Sequence, residues 1–168
     1  TVELDQKAYT WTDKVYITVV APDHSLNKDK PTSIGQQPDE KITITTSKGE
    51  IHNYKLIETG KNTGIFTGEV CLTGFKGHPS KECRIAEGIT EGSNSGPSNG
   101  KIACTNEDYL SVSFTTRYDT VIGSALIRWN IGEIQWIEPS YSTESVGCVR
   151  IIDPDMNMNP NKIDEFKI

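Results

Sequence analysis

The sequence predicts an all-β fold, an antiparallel β-sandwich. Three observations carry that expectation. Helical periodicity is nearly absent along the 168 residues. Short runs rich in Val, Ile, Thr, Tyr and Phe recur between turn residues instead. Within several runs apolar and polar side chains alternate, the pattern of a sheet with one face buried and one face wet. The apolar residues make up 35% of the chain, enough to build a core and to argue against wholesale disorder.

The elements follow in order. Val15 to Val20 reads as a strand of β-branched and aromatic residues. Lys41 to Thr46 reads as a second. After a turn at Ser47 to Glu50, Ile51 to Ile57 reads as its hairpin partner. Gly64 to Thr73 alternates Ile65, Thr67 and Glu69 against Phe66, Gly68 and Val70. Tyr109 to Thr115 sets Leu110, Val112 and Phe114 against Ser111, Ser113 and Thr115. Gly123 to Ile137 holds one long strand or two, broken near Asn130-Ile131-Gly132. Lys28 to Pro38 reads as a polar loop. Gly74 to Gly100 reads as a long polar insert whose second half, from Glu91, is too poor in apolar residues to order itself.

Charge narrows the function. Basic residues number 17 and acidic ones 23, a net charge of −6. That argues against a partner with a phosphate backbone, which calls for a basic face. It suits a binder of cations. No apolar run approaches the ~20 residues of a membrane-spanning helix. The chain starts at Thr1, with neither initiator Met nor signal peptide, and reads as a processed or excised piece. The four cysteines, Cys71, Cys83, Cys104 and Cys148, form no CxxC pair, which argues against a structural zinc site. Their even number fits one or two disulfides in an oxidising compartment, against the alternative of four buried thiols. Cys83–Cys104 is the preferred bridge and Cys71–Cys104 the second choice, with Cys148 left free.

An internal repeat sets the domain organisation. Tyr9 is matched by Tyr141, Asp23 by Asp155 and Asn27 by Asn159, a constant offset of 132 residues. The strand Val15 to Val20 has its counterpart in Val146 to Ile152. The match resumes at Asp39-Glu40 against Asp164-Glu165, with a seven-residue insertion in the first copy. This period is the length of a whole sandwich and too long for a solenoid unit. Residues 1–135 are therefore expected to form one complete unit carrying the 74–100 insert. Residues 136–168 form the first strands of a second repeat, or a strand-exchange extension.

The clearest chemical signal is Asp153-x-Asp155-x-Asn157-x-Asn159, followed by Asp164. Oxygen ligands at alternate positions of a loop turn towards one centre, and calcium takes six to eight such oxygens. The glycine and distal Glu of an EF-hand loop are missing, and no helices flank the run. The alternative is an Asx-rich turn without metal. In the first copy Asp23, Ser25, Asn27 and Asp39 occupy matching positions, but Ala21 stands where Asp153 stands. Glu58 opens the run Glu58-Thr-Gly-Lys-Asn-Thr-Gly-Ile-Phe-Thr-Gly68, a tight connection between strands, from which its carboxylate reaches the same ion or simply caps a turn.

That run, Ala125-Leu-Ile-Arg-Trp-Asn-Ile-Gly-Glu133 and Asp153-Pro-Asp-Met-Asn-Met-Asn-Pro160 together resemble repeat domains of archaeal cell-surface and S-layer proteins, those of ammonia-oxidising archaea most of all. The resemblance covers most of the chain outside residues 74–100. It implies tandem immunoglobulin-like β-sandwiches in an extracellular lattice or filament. It also implies Ca2+ held by Asp153, Asp155, Asn157, Asn159 and Asp164, and by Asp23, Asn27 and Asp39 in the first copy. Ala21 and Ser25 depart from the pattern.

No enzyme signature accompanies these features. His24, His52 and His78 lack metalloprotease spacing, and there is no nucleophile elbow or P-loop. The expected function is a non-enzymatic structural module of a surface layer or filament. Its partners are copies of itself or adjacent repeats. Two alternatives remain: a carbohydrate-binding or adhesion module using Trp11, Trp129 and Trp136, and a donor-strand filament subunit.

Overall fold

In a computed structural model of the chain, residues 1–10, 13–73, 94–105, 107–128 and 131–153 are described. In chain order the strands are β1 (Val2–Leu4), β2 (Ala8–Tyr9), β3 (Lys14–Val20), β4 (Ser33–Ile34), β5 (Gln36–Gln37), β6 (Glu40–Thr46) and β7 (Gly49–Ile51). They continue with β8 (Leu56–Glu58), β9 (Ile65–Thr73), β10 (Gly100–Ala103), β11 (Asp108–Thr116), β12 (Thr120–Ile127), β13 (Glu133–Trp136) and β14 (Val149–Ile152). A single 3-10 turn, Pro22–His24, interrupts the strands among the described residues.

The all-β prediction holds. The first sheet runs β1-β3-β9-β8-β4, with β10 joining β9 beyond the end of β8. The second runs β2-β12-β11-β6-β5, with β7 also on β6. Pairing is antiparallel except for β9 with β10 and β2 with β12. Alternation decides which residues turn inward. Val15, Ile17 and Val19 of β3 and Phe66 and Val70 of β9 form one inner face. Ile42 and Ile44 of β6, with Leu110, Val112 and Phe114 of β11, form the other. Together they make one continuous core. Each fully buried side chain of this size contributes roughly 1.5–3 kcal/mol by leaving water.

Several expectations change. Ile51 to Ile57 is two strands, and they lie in opposite sheets. Asn53 adopts a left-handed backbone (φ 54°), which its short polar side chain tolerates, and there the chain leaves β7 for β8. Tyr54 then anchors the crossing from within the core. Its N–H donates to Ile42 O (3.0 Å). Its hydroxyl donates to Glu69 O (2.6 Å) and accepts from Gly100 N–H (2.9 Å). The polar stretch Lys28 to Pro38 contains β4 and β5, with a crossing in the opposite direction at Gly35. A Cβ there would fall 1.9 Å from Tyr54 O, so only glycine fits. These strands are too short for any periodicity to register.

The end of the 74–100 insert is also ordered by its backbone. Ser95 O accepts from Lys55 N–H (2.9 Å), Pro97 O from Glu69 N–H (2.7 Å), and Gly100 opens β10. Residues 74–93 lie outside the described residues. The cysteine expectation fails in its pairing. Cys104 is a buried thiol and belongs to no disulfide, so neither Cys83–Cys104 nor Cys71–Cys104 forms. Cys71 is the disulfide-bonded cysteine, and its partner is outside the described residues. Cys148 is an exposed free thiol.

Gly123 to Ile137 resolves into β12 and β13. The expected boundary at residue 135 falls inside β13, which pairs with β14 in a separate two-stranded sheet. This hairpin repeats β1–β3 residue for residue. Val2 faces Val19, Glu3 faces Thr18 and Leu4 faces Ile17. At an offset of 132, Ile134 faces Ile151, Gln135 faces Arg150 and Trp136 faces Val149. The irregular bonds repeat as well. Asp5 N–H donates to Tyr16 O and Asp13 N–H to Thr10 O; Ile137 N–H donates to Cys148 O and Ser145 N–H to Ser142 O. Tyr9 accepts from Gln6 N–H as Tyr141 accepts from Glu138 N–H. The sequence repeat is thus a repeat of hydrogen-bond register.

Candidate metal loops and the Glu58 node

The first-copy candidates sit at the end of the sandwich where β3 finishes. Pro22, with φ preset near the helical value, starts the 3-10 turn, and His24 N–H and Ser25 N–H close it on Ala21 O and Pro22 O (3.0 and 3.2 Å). His24 reaches across to the other sheet. Its Nδ1 lies 2.6 Å from Glu40 Oε1, and its ring meets Phe114 edge-on at 5.3 Å.

Glu58, the last residue of β8, is buried at this end (3% exposed). Gly64 N–H and the Ser25 hydroxyl donate to its Oε1 at 2.9 and 2.7 Å. Thr32 N–H and the Thr32 hydroxyl donate to its Oε2, each at 3.0 Å. A carboxylate offers about four lone-pair directions, and all are taken by hydrogens. The Gly64 N–H first, then the Thr32 N–H and the two hydroxyls, hold the Glu58 carboxyl down to about 2. Burial opposes them and loses. Gly64 reaches this position with φ 64°, where a Cβ would come within 2.5 Å of Pro22 Cα. Glu58 therefore clamps both ends of the β3–β4 connection to the β8–β9 loop.

The other first-copy residues are dispersed. Asp23 is exposed on the 3-10 turn. The Asn27 side-chain oxygen accepts from Asp29 N–H (2.8 Å) and Lys30 N–H (3.2 Å), an Asx turn that uses both its lone pairs. Asp39, in the β5–β6 turn, pairs with Arg117 in the β11–β12 turn. Ser25 meets Glu58 as a donor. Calcium requires oxygens with lone pairs turned towards it, and Glu58 and Asn27 have theirs committed to N–H and O–H groups. These two residues do not fit as ligands.

In the second copy, Asp155, Asn157, Asn159 and Asp164 lie outside the described residues. Asp153 is described. It lies against the segment joining the two units, since a Cβ on Gly132 would sit 3.2 Å from Asp153 Oδ2. Ala21, its first-copy counterpart, has no carboxylate to place there. Among the described residues no group of three or more His, Cys, Asp or Glu side chains is gathered to hold a metal.

A second buried carboxylate escaped the sequence reading. Asp108 begins β11 at the far end of the sandwich: it faces Ile127, whereas Thr116 at the other end of β11 faces Glu40. It accepts from Ser47 N–H (3.1 Å), the Ser47 hydroxyl (2.7 Å), Thr105 N–H (3.1 Å) and Tyr109 N–H (2.8 Å). Burial pushes its carboxyl up, but the Ser47 hydroxyl and the backbone N–H groups outweigh this and hold it below its ordinary range. The signal for such a residue is a lone acid at a strand boundary beside a turn, too common to single out. Burial first, and then the Asp108 charge, push the nearby Cys104 thiol up to about 12.

Of the tryptophans, Trp136 is exposed on the hairpin and meets Tyr141 edge-on at 5.7 Å. Trp11 and Trp129 lie outside the described residues. Among the described residues no helix is long and apolar enough to cross a membrane. No protein-family model and no curated protein matches the chain.

Proposed function

We propose that this chain is a non-enzymatic structural module of an extracellular surface layer or filament, built from tandem immunoglobulin-like sandwiches. The observation that supports this reading is the β13–β14 hairpin, which repeats the β1–β3 register 132 residues on. A unit that starts over in the same register is the mark of an array of modules, each stacked on the next. Two internally saturated carboxylates at opposite ends suit a spacer whose loops stay fixed.

Calcium belongs, in this reading, to the 153–164 run alone. Asp153 begins that run beside the joining segment, where an ion would neutralise clustered carboxylates and stiffen the junction. The Glu58 node stays metal-free. The test is calorimetry of the purified chain with calcium and with EGTA. Calcium raises the transition of the C-terminal segment and leaves that of the first unit in place. Identical traces, with no calcium in the purified protein, remove the metal from the proposal. Electron microscopy at rising concentration tests the assembly.

A carbohydrate-binding module is the second reading, favoured by the exposed Trp136–Tyr141 pair. Glycan binding that disappears in Trp136→Ala would establish it.

A further inference from the structure

The two sheets of the sandwich turn different outer faces to solvent. On the first, Glu3, Lys14 and Glu69 point outward, and the last two pair at 3.3 Å. Cys71 points outward there too, yet it is buried and disulfide-bonded, so part of that face is already covered. On the second sheet, Tyr109 faces Leu126, Ser111 faces Ser124 and Ser113 faces Ile122 across β11 and β12. Thr45 and Thr43 of β6 continue the two serine rows. Tyr109, Leu126 and Ile122 are 48, 46 and 61% exposed. Among the outward side chains of β6, β11 and β12 only Lys41 is charged, and it stands at one corner, opposite Thr115. Glu50 of β7 stands at the rim, opposite Thr45.

A face without charge at its centre stands out in a chain of which 24% is charged. The hydroxyls of Thr43, Thr45, Ser111 and Ser124 meet no hydrogen-bond partner among the described residues. A hydroxyl both donates and accepts, so a face of hydroxyls and apolar groups is complementary to itself. A face of carboxylates or of ammonium groups is not. The position of this face matters as well. Val20 N–H donates to Thr1 O at the Glu58 end, and Ile127 faces Asp108 at the other end. The first unit is thus entered and left at opposite ends. A string of such units runs along the strands, with this face on its flank.

Resting on the modular reading above, we infer that the outer face of the second sheet is a self-association surface, and that its occupant is the same face of a second copy, packed sheet against sheet about a two-fold axis. A two-fold contact sets the same patch on both sides, which only self-complementary groups tolerate. Packing here strips water from no charge at the centre, and depletion of charge at the centre is what marks an interface. Tyr109, Leu126 and Ile122 supply the apolar area. The size is sufficient. Five strands across at about 4.8 Å and eight residues along at about 3.4 Å, the sheet covers about 600 Å² in plan. Side-chain relief brings that to the order of the ~800 Å² that a standard interface takes from each partner. A contact on the flank joins strings side by side, the step from a filament to a layer.

The experiment is sedimentation of the full 168-residue chain in a Cys148→Ser background, which excludes intermolecular disulfides through this exposed thiol. Ile122→Asp and Ser124→Glu each weaken self-association at least tenfold. Ile57→Asp, at an exposed apolar site on the first sheet, leaves it unchanged. Hydroxyl-radical footprinting gives a reading free of mutation on either face. Tyr109 and Tyr16, one on each sheet, start matched at 48 and 49% exposure. Labelling of Tyr109 falls at least threefold as the chain is concentrated, and that of Tyr16 stays level. Association that survives both substitutions, or Tyr109 labelling indifferent to concentration, overturns this contact and leaves the modular reading standing. Tyr109 protected by an added neutral oligosaccharide and not by concentration gives the face to a glycan and overturns the contact as well. A parent chain that stays monomeric at every concentration overturns both the contact and the modular reading.

Discussion

The Ser25 hydroxyl donates to the Glu58 carboxylate at 2.7 Å, tying the turn after β3 to the last residue of β8. These residues are 33 apart in sequence. The node, its surroundings and the thiols each lead to a measurable outcome.

Glu58→Gln flattens the acid limb of the stability curve. The folded carboxyl titrates at about 2, below its ordinary 4.5. A depressed folded value means that the stabilisation is fully present above the ordinary value and is lost as pH falls through the folded one. The parent therefore loses stability between pH 4.5 and about 2. Glutamine cannot ionise, and its amide group presents two hydrogens to donors that already point inward. Urea unfolding at pH 7 and pH 3 reads the difference: the variant is weaker at pH 7 and closer to the parent at pH 3. A variant that tracks the parent across this range would show that the charge does not stabilise the node.

Tyr54→Phe removes the hydroxyl that joins β9 to β10. Glu69 O and Gly100 N–H then lose their partner in a site closed to water. The expected cost is about 1–3 kcal/mol. Amide exchange at Gly100 rises ahead of global unfolding. Equal exchange in variant and parent would place the anchor elsewhere.

The two thiols separate by reactivity. Cys148 is exposed and reacts with a thiol reagent in the native chain. Cys104 is buried, with its thiol pushed up to about 12, and holds almost no thiolate at neutral pH. Its labelling waits for unfolding and lags that of Cys148 by at least about tenfold in rate. Mass mapping after timed alkylation decides it.

Much of the fold was legible because long strands record their environment. In β11, Leu110, Val112 and Phe114 are buried while Tyr109 is exposed, and in β3 the alternation reads directly as inside and outside. Crossings were not legible. Ile51 and Leu56 are both buried and apolar, so their pattern is the same whether they share a sheet or face each other across the core. Only the backbone at Asn53 separates those cases. The repeat was legible as letters, and its register as geometry was not. Glu58 stood out as a candidate ligand because carboxylates near turns bind cations. A sequence shows acceptors, not the four donors that the fold turns towards this one.

The parallel pairing of β2 with β12 has a mechanical consequence. Lys7 O accepts from Leu126 N–H and Tyr9 O from Arg128 N–H, at 3.0 and 2.8 Å. Tension that enters the first unit ahead of β2 and leaves it after β12 draws these parallel strands in opposite directions along their length. Their bonds are then loaded side by side and yield together, where an antiparallel pair pulled from its open end would unzip bond by bond. In the array proposed above, each unit would pass force through this parallel seam in shear.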